Sequence, residues 1–244
     1  MQPVTISIGL SKIYLIPCRN GYLQIDTGYD RDYTEYRQAL RWARIDLKQI
    51  RYVLLTHHHD DHAGALNELV RDADVTILAH PLTPALLAEG KNDMKHGGGY
   101  LNRRIKFIAD VKMRLDPKWT LSFPPFAWRE RDVVIAEPLS RFPETIGVPG
   151  VIVHTPGHTV DHMVLVLKDG SVFCGDAAST MLLELGTRYA TIFMTDMEAA
   201  YRSWQKILDA GGKMVYPTHG DPFPAERLQA NLGKIRTEDL VKFF

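Results

Sequence analysis

The stretch Thr56-His57-His58-His59-Asp60-Asp61-His62-Ala63-Gly64 places four candidate metal ligands, His57, His59, Asp61 and His62, directly after the apolar run Tyr52-Val53-Leu54-Leu55. The apolar run reads as a buried strand, and Ala63-Gly64-Ala65-Leu66 opens a helical pattern that reaches about Arg71. The cluster must therefore sit on a strand-to-helix turn. Side chains alternate along an extended segment, so His57 and His59 share one side while His58 points away. Where the chain bends into the helix, Asp61 and His62 swing round to serve a second ion near the first. Imidazoles with carboxylates are the ligand set of zinc, and of iron or manganese in related geometries. The alternative, a polyhistidine-like surface tract, fits poorly with a cluster fed by an apolar strand.

Ligand-type residues recur at the ends of three later β-prone runs. Val151-Ile152-Val153 precedes Thr155-Pro156-Gly157-His158-Thr159, Val172-Phe173 precedes Cys174-Gly175-Asp176-Ala177, and Lys213-Met214-Val215-Tyr216 precedes Pro217-Thr218-His219-Gly220-Asp221. One edge of a rigid sheet sandwich would gather such residues although they are scattered in sequence. In this order, His57-x-His59-x-Asp61-His62 and the three later segments resemble the signature of the metallo-β-lactamase superfamily of binuclear metal hydrolases. The resemblance implies an α/β fold, an αββα sandwich of two mixed β-sheets with helices on both outer faces. It also implies that His57, His59 and His158 bind one metal, Asp61, His62 and His219 the other, and that Asp176 bridges them. Asp26-Thr27-Gly28 resembles a further family motif whose Asp steadies a ligand without itself binding metal.

The ordered motifs run from Asp26 to His219, so the 244 residues are expected to form a single domain. Lys plus Arg and Asp plus Glu both number 29, which leaves no global basic excess for a phosphate backbone; no nucleic-acid partner is expected. The two cysteines, Cys18 and Cys174, lie in apolar segments and suit a reducing compartment. The first residues lack the pattern of a signal peptide, and no apolar run is long enough to span a bilayer, so the expectation is a cytoplasmic protein with no membrane partner. A homodimer is compatible with the sequence.

Strands are expected near 4–8, 12–17, 21–26, 51–56 and 75–79, and again near 132–136, 150–154, 162–167, 171–175 and 213–217. Helices are expected over about 32–44, from His62, over 196–210 and over 224–236. The length between His62 and His158 exceeds what a helix, a strand and a return require, which marks an insertion near 90–131. Its Gly97-Gly98-Gly99 and its aromatic residues, among them Tyr100, Trp119, Phe123 and Phe126, suit a substrate-binding lid; packing against the core or a second subunit is the alternative.

The resemblance implies hydrolysis by a hydroxide held between two divalent ions, zinc first and manganese or iron as alternatives, because coordination brings the pKa of water toward about 7. Asp61 is the candidate to orient that nucleophile and shuttle its proton. His162, four residues after His158, and His80, at the end of a strand, are candidates to support the ligands; a strand-core role is the alternative for His162. His58 and His154 read as structural. Among relatives, glyoxalase II-type thioesterases carry a longer helical region after the last ligand. Homoserine-lactone lactonases carry a Tyr shortly after the bridging Asp, where Ala177-Ala178-Ser179-Thr180 stands here. A small-molecule hydrolase of a lactone, ester or thioester is the expected function. A phosphodiesterase, to which Arg103, Arg104 and Lys106 would contribute by facing the metals, is the nearest alternative, and an iron-dependent oxidoreductase similar to persulfide dioxygenases is another.

Overall fold

The computed structural model describes residues 3–93, 97–116 and 120–242. In chain order the strands are β1 (Val4–Ile8), β2 (Ser11–Cys18), β3 (Gly21–Ile25), β4 (Ile50–Leu54), β5 (Thr76–Ala79), β6 (Gly99–Tyr100), β7 (Val133–Val134), β8 (Leu139–Ser140), β9 (Gly150–His154), β10 (Met163–Leu167), β11 (Ser171–Gly175), β12 (Phe193–Met194), β13 (Met214–Pro217) and β14 (Phe223–Pro224). The α-helices are α1 (Tyr33–Trp42), α2 (Asp60–Ala63), α3 (Leu66–Asp72), α4 (Thr83–Glu89), α5 (Arg103–Leu115), α6 (Phe142–Thr145), α7 (Met197–Asp209) and α8 (Glu226–Gln229). Two six-stranded sheets form, in the orders β1-β2-β3-β4-β5-β7 and β14-β13-β11-β10-β9-β8, and β6 pairs with β12 apart from them. Each large sheet mixes parallel and antiparallel neighbours.

The period-2 alternation of strand side chains divides the apolar residues into three layers. In β2, Ile13 and Leu15 join a core with α1 and α3, whereas Tyr14 and Ile16 face the other way. In β10, Met163, Leu165 and Leu167 meet Tyr14 and Ile16 in a middle core, while Val164 and Val166 join Trp204 and Ile207 of α7. A middle core between two sheets, flanked by a helix-covered core on each side, is the expected αββα sandwich.

Several local expectations need correction. The helix expected to run on from His62 is broken at Gly64-Ala65, where the chain turns to let the loop after β3 approach: a Cβ on Gly64 would lie 2.8 Å from Asp30 N, and Ala65 N–H donates to Gly28 O at 3.1 Å. The last helix shrinks to α8, and the strand near 132–136 to β7. Within the expected insertion, α5 is a 13-residue helix capped by Asn102, whose side-chain oxygen accepts from Arg104 and Ile105 N–H. Trp119, named above with the insertion, lies outside the described residues.

Candidate metal centre

β4 ends at Leu54 and the chain leaves the sheet through Thr56, so the histidines lie on the loop that enters α2, at the same edge as the ends of β9, β11 and β13. Three groups of side chains converge there: His57, His59 and His158; His57, His62 and Asp176; and Asp61, His62 and His219, the ligand atoms of each lying within 4.8 Å of one another. All seven positions named from the sequence therefore meet in one place.

The outer nitrogen of most of these rings is tied to the protein, which fixes the tautomer and leaves the inner nitrogen with a lone pair. His158 Nδ1–H donates to Phe193 O at 2.8 Å, and His219 Nδ1–H donates to Leu10 O at 3.1 Å. His57 Nδ1 lies 3.0 Å from Thr56 Oγ1, and His62 Nδ1–H donates to Asp26 Oδ2 at 2.7 Å. The inner atoms His57 Nε2, His62 Nε2 and Asp176 Oδ1 are buried without a hydrogen-bond partner among the described residues, as is His59 Nε2. Unpartnered buried acceptors are costly. Moreover, His59 Nδ1 and His158 Nε2 face each other at 3.1 Å, although His158 already carries its proton on Nδ1. A shared cation satisfies such a pair. The donor set of imidazoles and carboxylates thus fits divalent metal ions.

Charge in the cluster is divided. Burial, reinforced by the surrounding imidazoles, pushes His57 and His59 well below the usual value. Burial also opposes protonation of His62 and His219, yet the carboxylates of Asp61 and Asp176, with Asp26 beside His62, outweigh it and raise them to about 10 and about 9. Burial would raise Asp61, but His62 and His219 hold it well below the usual carboxylate range. The carboxylates demand a positive charge at this position.

Thr56 is the hub that the sequence reading quoted without assigning a role. Its hydroxyl lies 2.8 Å from Asp26 Oδ2 and 3.0 Å from His57 Nδ1, and its N–H donates to Asp26 Oδ1 at 2.8 Å. Asp26 adopts the left-handed backbone region, with φ 60, an arrangement held by these bonds. Thr191, also unassigned, sets its hydroxyl 3.1 Å from His158 Nδ1 and 3.3 Å from Asp176 O. His162 accepts from Asp176 N–H at Nε2, 3.2 Å, and its Nδ1 lies 3.0 Å from Thr155 Oγ1; it contacts the backbone of one ligand. His58 turns away, donating to Asp161 Oδ1 at 3.0 Å and accepting from Asp93 N–H.

His80, in contrast, does not join the ligands: past the end of β5 it stacks on His154 of β9, the ring centroids 4.1 Å apart. Burial and the neighbouring His154 lower it to about 4. Phe123 and Phe126 are likewise not at the site. Phe123 N–H donates to Gly90 O and Phe126 N–H to Leu87 O, which ties this segment to the end of α4 and buries both rings in the core under the first sheet. Tyr100 does face the site, lining a cavity of about 290 Å3 whose floor includes Asp61, Asp176 and His219 and whose apolar walls include Leu10, Tyr29 and Phe193. Arg103 and Arg104 point to solvent, and Lys106 pairs with Asp110 at 2.8 Å; none of the three lines the cavity.

Residues 10–219 match the family model described as "Metallo-beta-lactamase superfamily". The chain belongs to that superfamily. A "Beta-lactamase-like protein 2 homolog" of Drosophila melanogaster is 26% identical over 254 residues, covering 100% of this chain and 71% of that protein. A "Hydroxyacylglutathione hydrolase" of Tolumonas auensis is 27% identical over 208 residues, covering 85% of this chain and 60% of that protein. Among solved structures, an archaeal metallo-beta-lactamase superfamily protein from Sulfolobus tokodaii superimposes with a TM-score of 0.63 at 17% identity, covering 95% of this chain and 85% of that one. This last likeness concerns the fold alone. Family membership and the ligand geometry together make the chain a metallo-hydrolase-family protein with a site suited to divalent ions. Among the described residues no helix is long and apolar enough to cross a membrane.

Proposed function

We propose that this protein is a metal-dependent hydrolase of a small-molecule ester-like bond, a lactone, ester or thioester, served by two divalent ions, zinc by the chemistry of the donors. The observation that carries this reading is the placement of Asp176. Its Oδ2 lies 3.6 Å from His158 Nε2, while its Oδ1 lies 3.6 Å from His62 Nε2 and 3.5 Å from His219 Nε2. One carboxylate thus addresses both groups of imidazoles. His57, His59 and His158 would hold one ion and Asp61, His62 and His219 the other, with Asp176 shared.

Bound there, the ions would supply Lewis acidity and a water acidic enough to act as a nucleophile at neutral pH. The chain's own groups do the rest. Asp61, whose Oδ2 lies 3.0 Å from His219 Nε2, borders the cavity, so it can accept a proton from the attacking water and deliver it to the leaving group. Asp26, Thr56 and Thr191 hold the imidazole tautomers; His162 holds the Asp176 backbone. Leu10, Tyr29, Tyr100 and Phe193 seat an apolar portion of the substrate and exclude water from it. The relative named as a hydroxyacylglutathione hydrolase supports a thioester among the three bonds, and the solvent-facing Arg103 and Arg104 lend nothing to a phosphodiesterase.

The test is metal content measured on protein purified without added metal or affinity tag, followed by assay against lactones, thioesters and phosphodiesters. Two zinc ions per chain with turnover of a lactone or thioester is the expected result. A single iron without hydrolysis, or turnover confined to phosphodiesters, would overturn the reading.

A further inference from the structure

The helix α5 is apolar on two faces. Its inner face buries Ile105 and Ala109 against Leu182, Leu185 and Ile192 beside the cavity, and Lys112 reaches the cavity wall. Its outer face presents Phe107, Ile108, Val111 and Leu115, which are 69%, 40%, 39% and 76% exposed. With 3.6 residues per turn these four fall on one continuous ridge. Four large apolar side chains on one solvent-facing stripe exceed the scatter of single exposed residues normal on a protein surface.

Charge says what covers this ridge. The helix carries Arg103, Arg104, Lys106, Lys112 and Arg114 against the single acid Asp110, in a chain whose formal net charge is zero. Lys106 is neutralised by Asp110. Arg103, Arg104 and Arg114 form no ion pair among the described residues. By helical position, Arg103 and Arg114 border one side of the ridge, Lys112 borders the other, and Arg104 lies within its first turn. An apolar stripe framed by cations matches an interfacial helix, whose apolar side chains enter the acyl boundary while its basic residues meet anionic headgroups. Leu10, on the loop between β1 and β2, adds a 67% exposed side chain at the rim of the same cavity.

We propose that α5 docks the protein on the surface of an anionic lipid bilayer, with Phe107, Ile108, Val111 and Leu115 inserted and Arg103, Arg104 and Arg114 on the headgroups. This departs from the expectation of no membrane partner, which rested on the lack of a spanning segment; an interfacial helix needs none. The inference stands independently of which bond the metal centre cleaves.

The experiment is co-sedimentation of the full chain with vesicles of phosphatidylcholine alone and of phosphatidylcholine mixed with phosphatidylglycerol, at low and high salt. Light scattering after size exclusion reports oligomeric state in lipid-free buffer. The chain is expected to pellet with the mixed vesicles and not with phosphatidylcholine alone, and to release in high salt. Each basic residue near an anionic surface is worth about fivefold in partitioning, so Arg103→Glu with Arg114→Glu should weaken binding more than about tenfold. Phe107→Asp with Leu115→Asp should weaken it as strongly while melting temperature and turnover of a soluble substrate stay at the parent level, since neither side chain is buried. Absence of pelleting overturns the proposal, as does pelleting that survives both double variants. A stable dimer that the Asp pair splits, without vesicle binding, assigns the ridge to a second copy of the chain and equally overturns it.

Discussion

Replacing Asp26 with Asn tests whether the hydrogen bonds behind the ligands, as well as the ligands themselves, set metal affinity. The exchange is isosteric, and Asn tolerates the left-handed backbone at φ 60. Asp26 accepts from Thr56 N–H through Oδ1 at 2.8 Å and from His62 Nδ1–H through Oδ2 at 2.7 Å. An amide can accept at only one of these positions. With its NH2 toward His62, it forces the ring proton onto Nε2, the atom that faces Asp61 and Asp176 at 3.6 Å. With the amide flipped, NH2 meets Thr56 N–H instead. Either way a buried, charge-assisted hydrogen bond is lost, at about 1.5–3 kcal/mol, which in a chain of this size lowers the melting temperature of metal-free protein by roughly 3–12 °C. Loss of such an outer partner typically weakens a metal site about 10–100-fold. Both quantities are measurable, by thermal melts of metal-free protein and by zinc competition with a chromophoric chelator at fixed pH. An affinity within about twofold of the parent, with an unchanged melt, would refute the role assigned to Asp26.

Asp61→Asn should retain most of the metal, because His62, His219 and Asp176 remain, yet lower kcat by about 10²–10⁴-fold if Asp61 moves the proton; metal analysis with steady-state kinetics checks it, and full activity would rule out that role. The pH dependence of metal-free protein follows from the divided charges. His57 and His59 are held neutral by burial and by neighbouring imidazoles, so they cost stability as pH falls below about 6.5, where only the unfolded chain takes up protons. His62 and His219, raised to about 10 and about 9 against the opposing effect of burial, stabilise fully below about 6.5, and that contribution is lost as pH rises through those values. The metal-free melting temperature should therefore pass through a maximum and decline from about pH 7 toward pH 10, and saturating zinc should flatten the alkaline limb by replacing the protons. A melt that rises steadily across this range would contradict the assignment.

Much of the site was legible because each ligand stands at the end of a β-prone run, and a strand end is a local property of the sequence. His58 shows the same rule in reverse: alternation turned it away from His57 and His59, and it bonds Asp161. Where the reading failed, the deciding contact was distant. His80 also ends a strand, but β5 lies next to β7 at one side of its sheet, and the nearest ring is His154 of the opposite sheet. Phe123 and Phe126 carried an aromatic signal that serves a lid or a core equally well; hydrogen bonds to Gly90 and Leu87 settled it in favour of the core. The amphipathic character of α5 was present in Arg103–Leu115 but was masked by its second apolar face, which breaks a simple one-sided pattern.

The sequence by itself carried the β-prone runs that end in candidate ligands, because period-2 patterning is encoded within a few residues of each, and its motifs carried the resemblance to the superfamily that implied the seven residues that converge. Tertiary structure alone decided which nitrogen of each imidazole faces inward, which oxygen of Asp176 addresses which group, that Thr56 ties Asp26 to His57, and that one face of α5 is left uncovered. Those facts depend on partners tens to hundreds of residues away, such as Leu10 on His219 and Phe193 on His158. No local pattern specifies a hydrogen bond whose acceptor is brought into reach only when the two sheets pack.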